Sequence, residues 1–379
     1  MSTAATSSMA YQPALDRIIA EIVAPSAHEI DHAAVFPRAA LQALGDTGLL
    51  GLISATDVGG MGLAHRAAAD VVAQLAGSCA STAMVVCMHY AATAVIEAYG
   101  PRAIREAIAG GRHLSTLAFS EAGSRGHFWA PLSSATASNG HVRLDAHKSW
   151  ATSAGQADSY VWSSRPLAAD GPSTIWLVPA ATTGLHVTAP FDGMGLRGNA
   201  SSPVHADGVL VDRAAMLGPD AGGFDIMMQT VLPYFQLMNA AASLGTMEAA
   251  ATKATRHVSE AYLKHLGQSL ADLPTVRAYI ARMRIQTDMV RALLNDTIDA
   301  LEQGRDTALL RVLEVKAAAG ESATMVTDLA MRVCGGAAFR KEVGVERHFR
   351  DARAATVMAP TTDALYDFIG KAVCGMPLF

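Results

Sequence analysis

The sequence predicts a mainly α-helical protein with a central β-rich module, and three observations support this fold class. Apolar residues recur at helical spacing over roughly the first hundred residues. Between residues 115 and 220 the apolar runs are short, alternate with polar residues and are separated by turn residues, which is typical of strands. The helical period returns from Phe224 onward, which predicts a C-terminal helical bundle.

A chain of 379 residues with 51% hydrophobic content is long enough for two or three domains. We expect an N-terminal helical domain over 1–113, a middle β domain over 114–221 and a C-terminal helical bundle over 222–379. Helices are predicted for residues 14–23, 36–44, 64–76, 81–99, 226–264, 276–303, 307–334 and 364–373. Strands are predicted for residues 141–145, 159–163, 174–179, 185–187 and 209–211.

The composition excludes several classes of protein. Only 17% of the residues are charged and the net charge is -5, so the clustered basic surface that nucleic-acid binding requires is not expected. The first residues lack signal-peptide features and no apolar run reaches the ~18 residues of a membrane span, so we expect a cytoplasmic protein. The high apolar content favours packed helices and buried subunit contacts, and hence a homo-oligomer.

The cysteines give no sign of a metal centre. They form neither a Cys-x-x-Cys pair nor a Cys/His cluster, so we predict no metal site and no required disulfide. All of them are expected to be small buried residues. They are Cys79, Cys87, Cys334 and Cys374.

The C-terminal region carries the most informative motifs. Residues 333–336 read Val-Cys-Gly-Gly, residues 350–353 read Arg-Asp-Ala-Arg, and residues 357–363 read Val-Met-Ala-Pro-Thr-Thr-Asp. This block resembles the acyl-CoA dehydrogenase family, whose members carry a Gly-Gly pair, an Arg-Asp-Ala-Lys-like run and a Tyr-Glu-Gly-Thr segment. In that family the glutamate removes the α-proton of an acyl-CoA. Ala359 stands at its position here.

Four further segments extend the resemblance over nearly the whole chain. Residues 117–124 (Leu-Ala-Phe-Ser-Glu-Ala-Gly-Ser) resemble the family's Thr-Glu-Pro-Gly-Ala-Gly-Ser, and residues 148–155 (Lys-Ser-Trp-Ala-Thr-Ser-Ala-Gly) resemble its Lys-x-Trp-Ile-Thr-Asn-Gly. Residues 195–199 match its Gly-x-Arg-Gly-Ser turn, and residues 222–224 its entry into the C-terminal bundle. The resemblance implies an N-terminal helical domain, a middle β-barrel or sandwich and a C-terminal four-helix bundle.

The resemblance also implies a flavin site, and the residue types suit one. An isoalloxazine is a flat π-surface with a polar edge, so Trp150 can pack against it while the Ser120 and Thr152 hydroxyls bond that edge. The small residues Gly123 and Ser124 let backbone N–H groups approach a phosphate.

The resemblance further assigns parts of the flavin to residues. Thr152 is expected to contact N5 and Thr361 the pyrophosphate. Gly335 and Gly336 are expected near the adenine half, contributed by a neighbouring subunit. This arrangement implies FAD shared within a homodimer or homotetramer. The candidate flavin-binding residues are Phe119, Ser120, Gly123, Ser124, Trp150, Thr152, Gly335, Gly336, Thr361 and Asp363.

Several positions depart from the family pattern. Some members place the base on the helix after the β module, but residues 233–239 (Pro-Tyr-Phe-Gln-Leu-Met-Asn) contain no carboxylate. Residues 125–129 (Arg-Gly-His-Phe-Trp) introduce a bulky aromatic cluster on the substrate side. The family's Arg-x-x-Phe-Gly motif, whose arginine supports the FAD pyrophosphate, appears as Leu-Lys-His-Leu-Gly at 263–267. Lys264 or His265 is a candidate replacement, and FMN, or flavin delivered by a reductase, is the alternative to bound FAD.

A flavin pocket without a base predicts a flavin-dependent oxygenase, because oxygen transfer from reduced flavin and O2 needs no α-proton abstraction. The chain in this respect resembles the family's monooxygenase branch. Such chemistry needs a dry cavity and a hydrogen-bond donor near the flavin. His89 is the preferred donor or acid/base, because imidazole serves either role near neutral pH. The candidate catalytic residues are His89, Tyr90, His127 and Asn239, with Trp129 beside them.

The substrate is expected to be a small organic molecule or its CoA thioester, from secondary metabolism or catabolism. Two alternatives remain open. One is an acyl-CoA dehydrogenase with a relocated base, for which Asp363 is the candidate because it lies about one helical turn past Ala359. The other is a catalytically silent flavin-binding subunit.

Overall fold

The structure is a computed structural model in which residues 10–124 and 127–378 are described. Helix α1 spans residues 12–32 and contains a π turn at Ile19–Val23; α6 spans residues 223–260 and contains a π turn at Met227–Val231. The other helices are α2 (Arg38–Asp46), α3 (His65–Ser78), α4 (Ala80–Tyr99), α5 (Arg102–Ala109), α7 (Pro274–Glu302), α8 (Ala308–Cys334), α9 (Val345–Val357) and α10 (Thr362–Val373).

The strands lie between α5 and α6, where the alternating pattern predicted them. They are β1 (Ser115–Ala118), β2 (Ser134–Ser138), β3 (His141–Ala151), β4 (Ser159–Ser164), β5 (Thr174–Pro179), β6 (Leu185–Val187), β7 (Ser202–Asp212) and β8 (Met216–Leu217). They form two four-stranded sheets, with strand orders β1-β4-β5-β8 and β2-β3-β7-β6. Strand β1 pairs with β4 in parallel, and the other neighbours are antiparallel. The acyl-CoA dehydrogenase-like arrangement expected from the sequence, helices, β module and helices, is thus confirmed.

The two sheets share one apolar core. Along β3 the buried and exposed side chains alternate, so that Val142 and Leu144 face inward. From the other sheet the fully buried rings of Trp162 and Trp176 join the same cluster. Packing two sheets face to face over such a core is the usual construction of a β-sandwich.

By contacts the chain divides into two compact units. The first comprises residues up to 71, 84–193 and 197–235, and the second comprises 72–83, 194–196 and the chain from 236 onward. In the second unit α8 packs against α7, α9 and α10. Along α8 the side chains of Val315, Ala319 and Ala323 are buried, because residues four positions apart lie on the same face of the helix.

Three local features differ from the sequence-based expectation. The helix predicted to reach residue 264 ends at Glu260, and a hairpin of Tyr262–Leu263 (β9) with Gln268–Ser269 (β10) follows. Helix α4 passes the length and hydropathy criteria for a membrane span, but 89% of its window is buried within the structure, which is typical of a core helix. Cys374 is exposed, whereas the other three cysteines are buried as expected. In the described part of the chain no cluster of His, Cys, Asp or Glu suits a metal ion.

Candidate functional site

Two of the segments predicted to contact a flavin lie side by side in the first unit. The Ser149 N–H donates to the Ser120 carbonyl at 2.9 Å, and the Ala122 N–H donates to the His147 carbonyl at 3.2 Å. Between these bonds Glu121 and Lys148 form an antiparallel bridge. The segments 117–124 and 148–155, which are about thirty residues apart in sequence, therefore form one surface.

A buried ion pair holds this surface together. Lys148 Nζ lies 2.5 Å from Glu121 Oε1, and both side chains are almost fully buried. The ammonium also donates to the Ser163 carbonyl at 2.7 Å and its hydroxyl at 2.9 Å. The carboxylate accepts from the backbone N–H of Leu132 at 2.6 Å and from the N–H and hydroxyl of Ser133. Such full pairing is what a buried ion pair needs to be stable.

The ionisation of the pair follows from this environment. Burial opposes ionisation of Glu121, but the Lys148 charge and the hydrogen bonds outweigh it and lower the pKa of the carboxyl. Burial lowers the pKa of Lys148 to about 8, against the charge of Glu121. Both groups are charged at neutral pH, so the pair acts as an electrostatic link rather than as an acid and a base.

Beside the ion pair an aromatic face is presented outward. Trp150 is 68% exposed and has a positive φ of 56°, an uncommon conformation for a bulky residue. Thr152 and Ser153 next to it are buried, and the Ser153 N–H donates to the Asn199 carbonyl at 2.9 Å. An exposed indole face next to two hydroxyl-bearing residues fits the flat, polar-edged ring of a flavin.

The turn after β1 supplies the remaining candidates of this unit. Phe119 is buried, Ser120 is half-buried, and Gly123 has a φ of 94°, which lets the chain turn without a Cβ. The Ser124 hydroxyl donates to the Glu121 carbonyl at 3.0 Å, so that hydroxyl is engaged in the turn itself. The Gly123 and Ser124 backbone is therefore the part of the turn suited to a phosphate.

The aromatic cluster predicted on the substrate side is partly described. The exposed His127 packs its ring edge-on against Trp129, with 5.1 Å between the ring centroids, and Phe128 packs edge-on against the same ring at 5.2 Å. One ring nitrogen of His127 lies 3.0 Å from the Ser124 carbonyl, which leaves the other nitrogen at the surface. Arg125 and Gly126 lie outside the described residues.

The geometry of His89 and Tyr90 argues against the catalytic role predicted for them. His89 is fully buried; its Nε2 lies 3.1 Å from the Leu50 carbonyl, and its Nδ1 accepts the Ser115 N–H at 3.1 Å. Burial lowers the pKa of His89 to about 4, so the ring is neutral and both nitrogens are engaged. The Tyr90 hydroxyl donates to the Leu49 carbonyl at 2.6 Å. Both side chains thus tie α4 to neighbouring backbone.

The second unit contains the Gly-Gly motif and the expected pyrophosphate contact. Gly335 and Gly336 are exposed just after α8, and a Cβ added at either position would meet nothing within 4 Å. Thr361 caps α10, since its hydroxyl accepts the Ala364 N–H at 3.3 Å. Asp363 is an exposed residue in the first turn of that helix, a position where an acidic side chain also stabilises the helix terminus.

The motifs at 195–199 and 350–353 meet in the second unit. The Leu196 N–H donates to Asp351 Oδ1 at 2.6 Å, and Arg350 donates to the Met194 carbonyl at 2.9 Å. A Cβ at Gly195 would lie 2.6 Å from the Arg350 backbone, so only glycine permits this approach. These motif residues therefore build the fold around α9. Lys264 and His265 are exposed in the β9–β10 turn.

The segment around Ala359 is held by a buried lysine. Lys316 is fully buried on α8, and its ammonium donates to the carbonyls of Ala355 at 3.0 Å, Met358 at 2.9 Å and Pro360 at 2.7 Å. Burial lowers the pKa of Lys316 to about 7, while three acceptors for its three protons favour the charged form. The residue therefore fixes the backbone on both sides of Ala359.

The helix that carries the alternative base position reaches the same segment. On α6 the Asn239 amide donates to the Met358 sulfur at 3.3 Å, and its Oδ1 has no partner among the described residues. Gln236, one turn earlier, is fully buried, and neither polar atom of its side chain has a partner there. The stretch 233–239 and the segment around Ala359 therefore meet at Asn239 and Met358, and position 359 holds an alanine while the stretch holds two neutral amides.

Sequence reasoning had not singled out Lys316 or Gln236. A lysine in a helix, such as Lys316 before three alanines, is ordinarily expected to face solvent. Only its position on the buried stripe of α8 indicates that it is buried. Gln236 belongs to the stretch 233–239, where a base would be a carboxylate, and a neutral amide gives no sequence signal for that role. Glu121 and Lys148 lay within recognised motifs without an assigned role.

Comparison with known proteins identifies the family. The acyl-CoA dehydrogenase N-terminal, middle and C-terminal domain models match residues 7–110, 116–209 and 221–374. Mitochondrial short-chain specific acyl-CoA dehydrogenase of Homo sapiens is 26% identical over 347 residues, which cover 89% of this chain and 83% of that protein.

Two solved structures share the fold. Butyryl-CoA dehydrogenase from Megasphaera elsdenii has a TM-score of 0.90 at 22% identity and covers 99% of each chain. The FAD complex of PigA has a TM-score of 0.90 at 17% identity and covers 99% of this chain and 98% of that one. Proteins of this family bind FAD, the flavin expected from the motifs. The chain belongs to the acyl-CoA dehydrogenase superfamily.

Proposed function

We propose that the protein is a flavin-dependent oxygenase built on the acyl-CoA dehydrogenase fold, acting on a small organic substrate or its CoA thioester. The observation that carries the proposal is the hydrogen bond between Asn239 and Met358. It brings the stretch 233–239 of α6 into contact with Met358, the residue before Ala359, and neither that stretch nor position 359 has a carboxylate. Without a base of suitable pKa within reach, abstraction of an α-proton is not supported.

The cofactor of the proposed reaction is FAD. When bound and reduced, it supplies two electrons to O2, so that with two protons one oxygen atom enters the substrate and the other leaves as water. Trp150 would pack against the ring, and Ser120 and Thr152 would bond its edge. Thr361 would lie at the pyrophosphate. The electrons would come from a reductase or another external donor, since no dehydrogenation step would supply them.

The chain's own residues have distinct parts in this proposal. Lys316 fixes the backbone around Ala359, which keeps a small apolar side chain where relatives have a charged one. His127, which has one ring nitrogen at the surface, is the candidate proton donor that replaces His89 in this role. The cluster of His127, Phe128 and Trp129 would exclude water from the reacting atoms.

We further propose that the working form is a homo-oligomer, as expected from the sequence. Large apolar side chains of the second unit are exposed, among them Phe339 at 81% and Val357 at 71%. Phe339 lies three residues after Gly336, in the motif expected to serve the FAD of a neighbouring subunit. Exposed apolar groups at such a position favour a subunit contact.

Anaerobic mixing of FAD-loaded protein with a panel of acyl-CoA thioesters tests the proposal. Because no base is available, the flavin absorbance should persist, whereas protein reduced beforehand should be reoxidised by O2 and yield an oxygenated compound when substrate is present. Rapid bleaching of the flavin by any thioester in the absence of oxygen would contradict the oxygenase proposal.

A dehydrogenase with a relocated base is the second candidate, because a relative such as human short-chain specific acyl-CoA dehydrogenase carries that activity in its name. Asp363 would be the base. If thioesters do bleach the flavin, Asp363→Asn should abolish the bleaching. Bleaching that survives in this variant would exclude Asp363.

A further inference from the structure

Two buried amides on one face of α6 have a hydrogen-bonding capacity that the fold does not use. Gln236 and Asn239 are 0% and 1% exposed, and their spacing of three residues places them on the same side of the helix. Both polar atoms of Gln236 and the Oδ1 of Asn239 have no hydrogen-bond partner in the described part of the chain. The remaining amide group, Asn239 Nδ2, donates to a sulfur, which is a weak acceptor.

Such unpaired groups call for an explanation. Buried amides in native proteins are almost always hydrogen-bonded, since leaving a buried donor or acceptor unpaired destabilises the fold. An apolar residue of similar size, such as methionine in place of Gln236, would avoid this penalty. Two neighbouring amides with the same defect therefore indicate a role outside the stability of the chain.

Their location indicates what that role is. Asn239 contacts Met358, the residue before Ala359, and Lys316 holds the Met358 carbonyl in place. Asn239 thus lies against the segment where relatives act on the acyl chain, and Gln236 lies one turn earlier on the same side of α6. We propose that Gln236 and Asn239 bind a neutral polar group of the substrate that both donates and accepts hydrogen bonds, such as a hydroxyl or a carboxamide. This inference rests on the proposed placement of the substrate beside Ala359.

The charge of the surroundings favours a neutral group. Lys316, the cation that is hydrogen-bonded to this segment, directs all three of its N–H groups to backbone carbonyls. A carboxylate bound by the amides would gain no opposite charge from this lysine, and because it has no proton to donate it would leave Gln236 Oε1 and Asn239 Oδ1 unpaired. A plain alkyl chain would bury the amides without satisfying them. A hydroxyl or carboxamide can both accept from the amide N–H groups and donate to the amide oxygens of Gln236 and Asn239.

A matched pair of thioesters tests the proposal. The probes are 4-hydroxybutyryl-CoA and pentanoyl-CoA, which differ by a hydroxyl in place of a methyl group. Their binding to oxidised, FAD-loaded protein is measured by calorimetry and by perturbation of the flavin spectrum. We expect the wild type to prefer the hydroxy compound by at least about tenfold, because a site built for a hydroxyl leaves its own groups unpaired with the analogue that lacks it.

The variants Gln236→Met and Asn239→Leu should reverse this preference, and Gln303→Met, the same change on an exposed side chain, should leave it unchanged. Gln236→Met should also raise the urea midpoint of the ligand-free protein, since an unpaired buried amide is removed. The proposal is overturned if pentanoyl-CoA binds as well as the hydroxy compound, if neither binds, or if Gln236→Met lowers the midpoint. Because binding is measured without O2 turnover, a failure of the oxygenase proposal leaves this result readable.

Discussion

Removing one member of the Glu121–Lys148 pair should harm the protein more than removing both. Replacing Lys148 with Met leaves Glu121 ionised and buried, with hydrogen bonds from Leu132 and Ser133 but no opposite charge. Glu121→Gln leaves the Lys148 ammonium buried beside Ser163. Breaking a buried pair in this way costs about 3–5 kcal/mol of the free energy of unfolding.

The structure refines this magnitude for each variant. The pKa of Lys148 is already lowered to about 8 by burial, so the amine should lose its proton at neutral pH once Glu121 is replaced. The loss in free energy of unfolding caused by Glu121→Gln should therefore lie near the lower end of this range. In Lys148→Met the Glu121 carboxylate should stay ionised, because its hydrogen bonds to Leu132 and Ser133 favour the charged form. The double variant carries no buried charge, so we expect a coupling energy of at least ~2 kcal/mol.

Urea unfolding at neutral pH, followed by tryptophan fluorescence, measures these energies, and the ring of Trp162 lies 5.1 Å from the Lys148 ammonium. The control cycle uses Arg143 and Asp145 on the same strand, whose side chains are 53% and 39% exposed. Their coupling should not exceed ~1 kcal/mol. If the two single changes at Glu121 and Lys148 were additive, the ion pair would not be the link that we infer between the two segments proposed to contact the flavin.

Three further predictions concern the site. Ala359→Glu should allow acyl-CoA thioesters to bleach the flavin anaerobically, while Ala359→Gln, of equal size but without a base, should not; equal behaviour of the two would contradict the role given to this position. Trp150→Ala should weaken FAD binding roughly tenfold in a fluorescence titration. The control is Tyr262→Ala on the β9–β10 hairpin, where Tyr262 is 61% exposed, and this variant should bind FAD as the wild type does. Burial lowers the pKa of Lys316 from 10.5 to about 7, so between these values the unfolded chain binds more protons than the native one. The free energy of unfolding of the wild type should therefore rise relative to Lys316→Met between about pH 7 and pH 10, and a constant difference would show that the pKa is not lowered.

Much of the fold could be predicted from local patterns. The burial alternation along β3 and the helical stripe on α8 are visible in the sequence, because each element buries one face. The end of α6 could not be predicted from local patterns. Residues 261–264 continue a helical pattern, but Gly267, with a φ of 67°, closes a hairpin instead, and a glycine turn of this kind competes with helix extension only in its tertiary setting.

The candidate site could be predicted only where motifs carried it. The resemblance predicted that segments 117–124 and 148–155 both contact the flavin, and the structure places them side by side. It could not show that both nitrogens of His89 bond to backbone, because the partners Leu50 and Ser115 are distant in sequence. Lys316 escaped notice for the same reason, since its acceptors lie about forty residues further along the chain.

The most direct test of the central claim is the fate of molecular oxygen. FAD-loaded protein is reduced, freed of excess reductant and mixed with 18O2 and candidate substrates, and the products are analysed by mass spectrometry. We expect one labelled oxygen atom per molecule of product and no labelled product in the absence of protein. A product that carries no label, together with an α,β-unsaturated thioester formed without oxygen, would show that the protein is a dehydrogenase despite the alanine at position 359.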